Sequence, residues 1–145
     1  MKGIKVFDNI NGYISVELKD IVKYIPFEDF TKCVLLEINA IGNIGDNPTN
    51  KELEQKVFDS KMGLDFFWGE LKRLALRYTQ IIDMTLVVGK DRGKIHFYKT
   101  DEDLYKNCEF CLQMIDSSFW VVVAKNNRII DELEQRFNDV SVFQE

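Results

Sequence analysis

Along this chain apolar residues recur either at every second position or at every third to fourth, and the switches between the two spacings divide it into elements. Ile4–Phe7 and Tyr13–Leu18 predict two strands joined around Asn9-Ile10-Asn11-Gly12, because Asn-Gly favours the tight hairpin turn. Asp20–Tyr24 predicts one helical turn ahead of Pro26. In Cys33–Ile41, Val34, Leu36 and Ile38 alternate with Cys33, Leu35 and Glu37; both faces are apolar over part of the length, which predicts a strand central in a sheet. Gly42-Asn43-Ile44-Gly45-Asp46-Asn47-Pro48 is rich in turn formers and reads as a loop. Thr49-Asn50-Lys51-Glu52 has the spacing of a capping box, in which hydroxyl and carboxylate satisfy free N–H groups, and predicts a helix to about Ser60.

Leu64, Phe67, Trp68, Leu71, Leu74, Ala75 and Tyr78 fall on one helical face and predict a longer helix from about Leu64 to Gln80. Ile81–Val88 and Ile95–Tyr98 predict a hairpin across Gly89-Lys90-Asp91-Arg92-Gly93, and Cys108–Ile115 with Phe119–Ala124 a second across Asp116-Ser117-Ser118. Between them, Thr100-Asp101-Glu102-Asp103 predicts a capped short helix whose first-turn acids complement its dipole. Asn126 caps a last helix with Ile129, Ile130, Leu133 and Phe137 aligned, and Val140–Phe143 predicts a short closing strand. This order of elements predicts an α+β protein, a mostly antiparallel sheet with helices packed on it. The 145 residues contain no repeat or linker and fit a single domain. A domain of that size buries roughly 68–70% of its unfolded surface, so it needs no metal or disulfide to fold.

Composition narrows the class. No apolar run is long enough to cross a bilayer, and the start Met1-Lys2-Gly3-Ile4-Lys5-Val6-Phe7-Asp8 lacks the apolar stretch of a signal peptide. Three cysteines, an odd number, then point to reduced thiols in the cytoplasm. The net charge of −5 is uneven: residues 1–50 carry 5 basic and 7 acidic groups (net −2), residues 51–100 carry 10 and 7 (net +3), and residues 101–145 carry 4 and 10 (net −6). An acidic C-terminal third does not suit phosphate binding and does suit a basic protein partner.

The candidate chemistry is sparse. Cys108-Glu109-Phe110-Cys111 has the spacing of half a zinc site or a redox dithiol. Its flanks read as strand, where positions i and i+3 face opposite ways, so one thiol is expected inside and the other outside or under a helix, with no metal. His96, the sole histidine, is the natural general base, but no nucleophile motif surrounds it and its alternating neighbours place it on a polar face. Asp116-Ser117-Ser118 reads as a turn, and Gly42-x-x-Gly45 lacks the Lys-Ser/Thr of a phosphate loop. In Phe66-Phe67-Trp68 the latter two fit the buried face, while Phe66 lies about 100° around the helix and is a candidate exposed anchor. Lys72, Arg73, Arg77, Lys90, Arg92, Lys94 and Lys99 form a basic cluster without the aromatic pattern of an RNA-binding sheet.

The sequence Asp116-Ser117-Ser118-Phe119-Trp120-Val121-Val122-Val123-Ala124-Lys125, followed by Ile129-Ile130-Asp131-Glu132-Leu133 and Phe137-Asn138-Asp139-Val140, resembles the ending of several small bacterial immunity proteins. It is also similar to small proteins of Gram-positive bacteria with the same strand–helix finish. Immunity proteins of contact-dependent inhibition and related polymorphic toxin systems are cytosolic, single-domain and often acidic. The resemblance, over about a quarter of the chain, implies a non-enzymatic inhibitor of a cognate toxin, with no cofactor and no catalytic motif to carry over. The expectation is therefore a protein-binding inhibitor that occludes a basic toxin site. Asp101, Glu102, Asp103, Glu109 and Asp116 are its expected charged contacts and Phe66 its apolar one. The competing expectations are a small enzyme or nucleic-acid factor using His96 with the basic cluster, and a small-ligand-binding module.

Overall fold

The computed structural model describes residues 1–27, 31–42 and 47–144. Its centre is a seven-stranded sheet in which every neighbouring pair is antiparallel, in the order β5-β4-β6-β7-β8-β1-β9. These strands are β1 (Lys2–Val6), β4 (Lys32–Gly42), β5 (Leu64–Phe67), β6 (Tyr78–Val88), β7 (Phe110–Ile115), β8 (Phe119–Ala124) and β9 (Val140–Gln144). A separate hairpin joins β2 (Asn9–Ile10) to β3 (Tyr13–Ile14), and the helices are α1 (Leu18–Val22), α2 (Asn47–Asp59), α3 (Trp68–Ala75), α4 (Asp101–Lys106) and α5 (Asn127–Arg136). The α+β class expected from the sequence is what forms.

Both faces of the sheet are covered, which explains the nearly continuous apolar runs of β4, β7 and β8. On the first face, Leu35, Leu86, Leu112, Val122, Ile4 and Val142 stand directly opposite one another across six strands. That face holds the larger core, closed by Leu18 and Ile21 of α1, Trp68, Leu71 and Ala75 of α3, and Ile129, Ile130 and Leu133 of α5. On the second face the row Val34–Val87–Cys111–Val123–Gly3–Phe143 is roofed by Leu104 and Tyr105 of α4 and by Ile95 and Cys108 of the connecting segment. A side chain at Gly3 would enter the Phe143 ring, 2.3 Å away, so this glycine lets the ring lie flat on β1.

Local chemistry accounts for several expectations that hold. Asn11 and Gly12 both take positive φ, as the hairpin turn requires. Asp116 and Ser117 do the same between β7 and β8, and the expected Cys108–Ile115/Phe119–Ala124 hairpin forms over nearly its whole length. The Thr100 hydroxyl accepts from the Asp103 N–H at 3.2 Å to cap α4, and the Asn126 side chain accepts from the Arg128 N–H at 3.0 Å to cap α5.

Four expectations need correction. The Asn11-Gly12 turn joins only the two-residue strands β2 and β3, while β1 pairs with β8 and β9. Helix α2 begins at Asn47, ahead of Thr49, so the Thr49 start was placed too late; residues 43–46 of the expected loop lie outside the described residues. The expected helix from Leu64 to Gln80 is three elements, β5, α3 and the start of β6. Gly63, at φ +80° and packed against Val34, turns the chain so that Leu64–Phe67 pairs with β4 before any helix starts. Finally, among the described residues Ile95–Tyr98 pairs with no strand, because β4 and β7 occupy both edges of β6; Arg92–Lys94 forms a short 3-10 turn and Ile95 plugs the second core. Among the described residues no helix is long and apolar enough to cross a membrane.

Candidate functional site, an acidic trough on the second face

Beside the apolar row roofed by α4 runs a polar one. Glu37 stands opposite Thr85, Thr85 opposite Gln113, Gln113 opposite Val121, Val121 opposite Lys5 and Lys5 opposite Ser141. Tyr105 of α4 reaches this row, which forms the floor of a trough. Three depressions of about 390, 170 and 470 Å³ lie along it, each sharing lining residues with the next. The first and second share Glu37 and Phe97, and the second and third share Asp101, Gln113 and Ile115.

The floor is fixed by hydrogen bonds. Thr85 and Gln113 are the buried polar side chains, and a buried amide must find partners. The Tyr105 hydroxyl donates to Gln113 Oε1 at 2.6 Å, and Gln113 Nε2 reaches Asp101 Oδ1 at 3.5 Å. This arrangement ties α4 to β7 and sets Asp101 over the trough. From the other side Asp83, half-buried on β6, accepts from the Asp116 N–H at 3.0 Å.

The walls carry negative charge and aromatic surface. Glu37, Asp83, Asp101 and Glu102 line the trough. Partial loss of water, and then the like charges of Asp83 and Asp101, push the Glu37 carboxyl above its usual range. At one end Phe58 and Phe97 are 85% and 56% exposed. At the other, Lys5 lies over the rings of Phe119 and Phe143 at 5.7 and 5.8 Å, a cation–π arrangement in the depression that Asp101 and Glu102 also line.

The raised carboxyl gives a pH prediction. The folded chain keeps the Glu37 proton to a higher pH than the unfolded chain does. Stability is therefore lost as pH rises through the window just above the ordinary carboxylate range. Glu37→Gln is expected to raise the melting temperature at pH 7 and to leave it nearly unchanged near pH 4, followed by circular dichroism. An equal shift at both pH values would mean that the ionised carboxylate is not the source.

The residues singled out from sequence do not form one patch. Asp101 and Glu102 line the trough, and Asp116 touches it only through Asp83. Asp103 is exposed on α4 outside the trough lining. Glu109 lies at the opposite end of β7, paired with Lys125 at 3.1 Å. The Phe66 anchor is corrected: in a strand, not a helix, residues 66 and 67 face opposite sides, so Phe66 packs against the first core while Phe67 is 44% exposed beside Lys32. Sequence reasoning missed Glu37, Asp83, Phe58 and Phe97. The available signals were an acid at a strand position among apolar neighbours, twice, and a Phe one place beyond the inward pair Leu53 and Val57.

The other candidates disperse. The basic cluster is split by the sheet, with Lys72 and Arg73 on α3 over the first face and Lys90, Lys94 and Lys99 around the second. Arg92 is engaged with Asp65 at 2.8 Å and with the carbonyls of Met62, Gly63 and Ile95. His96 stacks on Tyr98, ring centroids 4.1 Å apart, and its Nδ1 lies 2.8 Å from the Phe97 carbonyl.

All three cysteines are buried and free. Contrary to the expectation of opposite faces, Cys108 and Cys111 both sit in the second core, because Cys108 precedes the strand. Burial pushes Cys108 to about 11 and Cys33 to about 12, and raises Cys111 well above its ordinary value, so none is a ready thiolate. No group of three or more metal-ligating side chains occurs among the described residues.

A further cleft of about 560 Å³ lies beneath the β2–β3 hairpin, lined by Tyr13, Tyr78, Gln80 and Trp120 among others. The buried Tyr78 hydroxyl has no partner among the described residues, and its oxygen is sealed from the cleft. The cleft's carboxylate, Glu17, is paired with Lys19 at 3.2 Å. Charge and exposed aromatic surface converge on the trough instead. Comparison with protein-family models, curated proteins and solved structures gives no match, so a functional reading of the trough stands on its geometry.

Proposed function

We propose that this chain is a non-enzymatic protein-binding inhibitor, an immunity protein that neutralises a cognate toxin in the cytoplasm by covering its active site. The observation that carries the reading is the gathering of five carboxylates, Glu37, Glu54, Asp83, Asp101 and Glu102, and exposed aromatic rings along one row of adjoining depressions. Interfaces draw most of their affinity from a few desolvated aromatic and charged anchors, and complementary charge speeds encounter. A lysine or arginine entering between Glu37, Asp83 and Asp101 relieves the mutual repulsion that raises the Glu37 carboxyl. The partner that fits is therefore a basic protein surface, as expected of a domain that handles phosphate-rich substrates. Phe58 and Phe97 supply the apolar anchors in place of Phe66.

The test is coexpression of the tagged chain with the product of the adjacent upstream gene, read by native mass spectrometry. The expected result is a one-to-one complex that weakens with salt but persists, and that abolishes the partner's toxicity. Absence of a complex, or a complex that leaves toxicity intact, removes the reading.

A further inference from the structure

The two edges of the sheet are treated differently. An open strand edge is a template for pairing, and proteins normally blunt it with charge, proline, a bulge or a cover. Strand β5 is four residues long and carries Asp65, held by Arg92 at 2.8 Å. Beyond it, where β4 would lie open, Glu54 of α2 accepts the Ala40 N–H at 2.8 Å. That edge is blunted by shortness, charge and the α2 contact. Strand β9, Val140-Ser141-Val142-Phe143-Gln144, has no charge, proline or bulge, and among the described residues nothing pairs with its outer side.

The register fixes which of its groups point outward. Phe7 N–H donates to the Asp139 carbonyl at 2.8 Å, so Phe7 and Asp139 are a hydrogen-bonded pair. Antiparallel pairs alternate, so Lys5/Ser141 and Gly3/Phe143 are bonded too, and the N–H and C=O of Val140, Val142 and Gln144 face away from β1. The outward residues are also where the first-face row of Leu35, Leu86, Leu112, Val122 and Ile4 ends, at a Val142 that is 36% exposed.

We infer that β9 pairs with β9 of a second copy across a two-fold axis. An antiparallel register centred on Val142 sets it against the partner's Val142, and Val140 against the partner's Gln144. It forms about six backbone hydrogen bonds and buries no charge. The two apolar rows meet at the paired valines, where cross-strand β-branched contacts add to the ladder. Because the two-fold uses the β9 edge of both copies, and the other edge is short, charged and flanked by α2, the pairing stops at two copies. Two chains of net charge −5 repel, so this dimer strengthens with salt, opposite to the behaviour of a complex at the acidic trough.

The experiment is sedimentation velocity over a wide concentration range on the wild-type chain and on Val142→Pro, Val142→Lys and Ser141→Pro. The wild type is expected to pass from one copy to two as concentration and salt rise. Proline is tolerated where a strand N–H faces solvent, so Val142→Pro should keep the wild-type circular dichroism and weaken dimerisation at least tenfold. Val142→Lys should do the same by placing like charges on the axis. Ser141→Pro removes an N–H bonded to β1 and should lower the melting temperature, which checks the register. A wild type that stays single at all concentrations, grows beyond two copies, or dimerises equally well as Val142→Pro would overturn the inference.

Discussion

Trp120→Ala is expected to lower the free energy of unfolding by about 3–5 kcal/mol, the usual cost of truncating a large buried aromatic ring. The ring is almost wholly buried in the first core, on the central part of the sheet. Its indole N–H also donates to the Val16 carbonyl at 2.8 Å, linking β8 to the segment that enters α1. Truncation therefore opens a cavity and strips a buried carbonyl of its donor. Trp120→Phe separates the two effects: it keeps most of the apolar volume and loses the bond, and should cost about 1–3 kcal/mol. Small domains hold about 5–15 kcal/mol in all, so the alanine variant loses a large part of its margin. Urea unfolding followed by fluorescence of Trp68 and by circular dichroism measures both. A loss below about 1 kcal/mol for Trp120→Ala would mean that the ring is not the keystone its burial indicates.

The second large effect concerns the trough. Reversing Asp101 and Glu102 to lysine is expected to weaken the complex with a basic partner by on the order of a hundredfold, because charge attraction becomes repulsion at a partly desolvated contact. Much of the loss should appear in the association rate and in an inverted salt dependence. Asp103→Lys lies on the same helix, carries the same helix-dipole penalty of about 0.3–1 kcal/mol, and should change affinity only slightly. Titration calorimetry on the two variants and the wild type, with circular dichroism as the folding control, decides it. Equal losses for Asp103→Lys and the double variant would show that bulk negative charge matters and the trough does not.

The sequence patterns were informative where local chemistry decides structure and weak where pairing does. The β7–β8 hairpin, the caps at Thr100 and Asn126 and the existence of strand β4 follow from turn formers, capping side chains and apolar runs within a few residues, whereas the central place expected for β4 does not hold: it is second from the edge, and β5 covers only its first four residues. Residues 64–80 mislead because Leu64, Phe67, Trp68 and Leu71 satisfy a helical spacing while Asp65-Phe66-Phe67 also satisfies a strand's; the Gly63 turn and the free edge of β4 settle the matter, and neither is visible in the segment itself. His96 sits in a stretch that alternates convincingly, yet β6 has no edge left to offer it. The site divides in the same way. Asp101 and Glu102 were legible as a charged helix start, whereas Glu37 and Asp83 come from distant strands and join them only through the sheet register.

That register also has a consequence for how the chain is made. Strand β1 lies between β8 and β9, so a strand made before both of its partners is among the last to find its neighbours. Lys2–Val6 must wait, with Ile4 and Val6 uncovered, until residues 119–144 have been synthesised. Translation pauses before residues 119–144 would prolong that exposed state, and the nascent chain is then most open to capture by chaperones or by its own siblings.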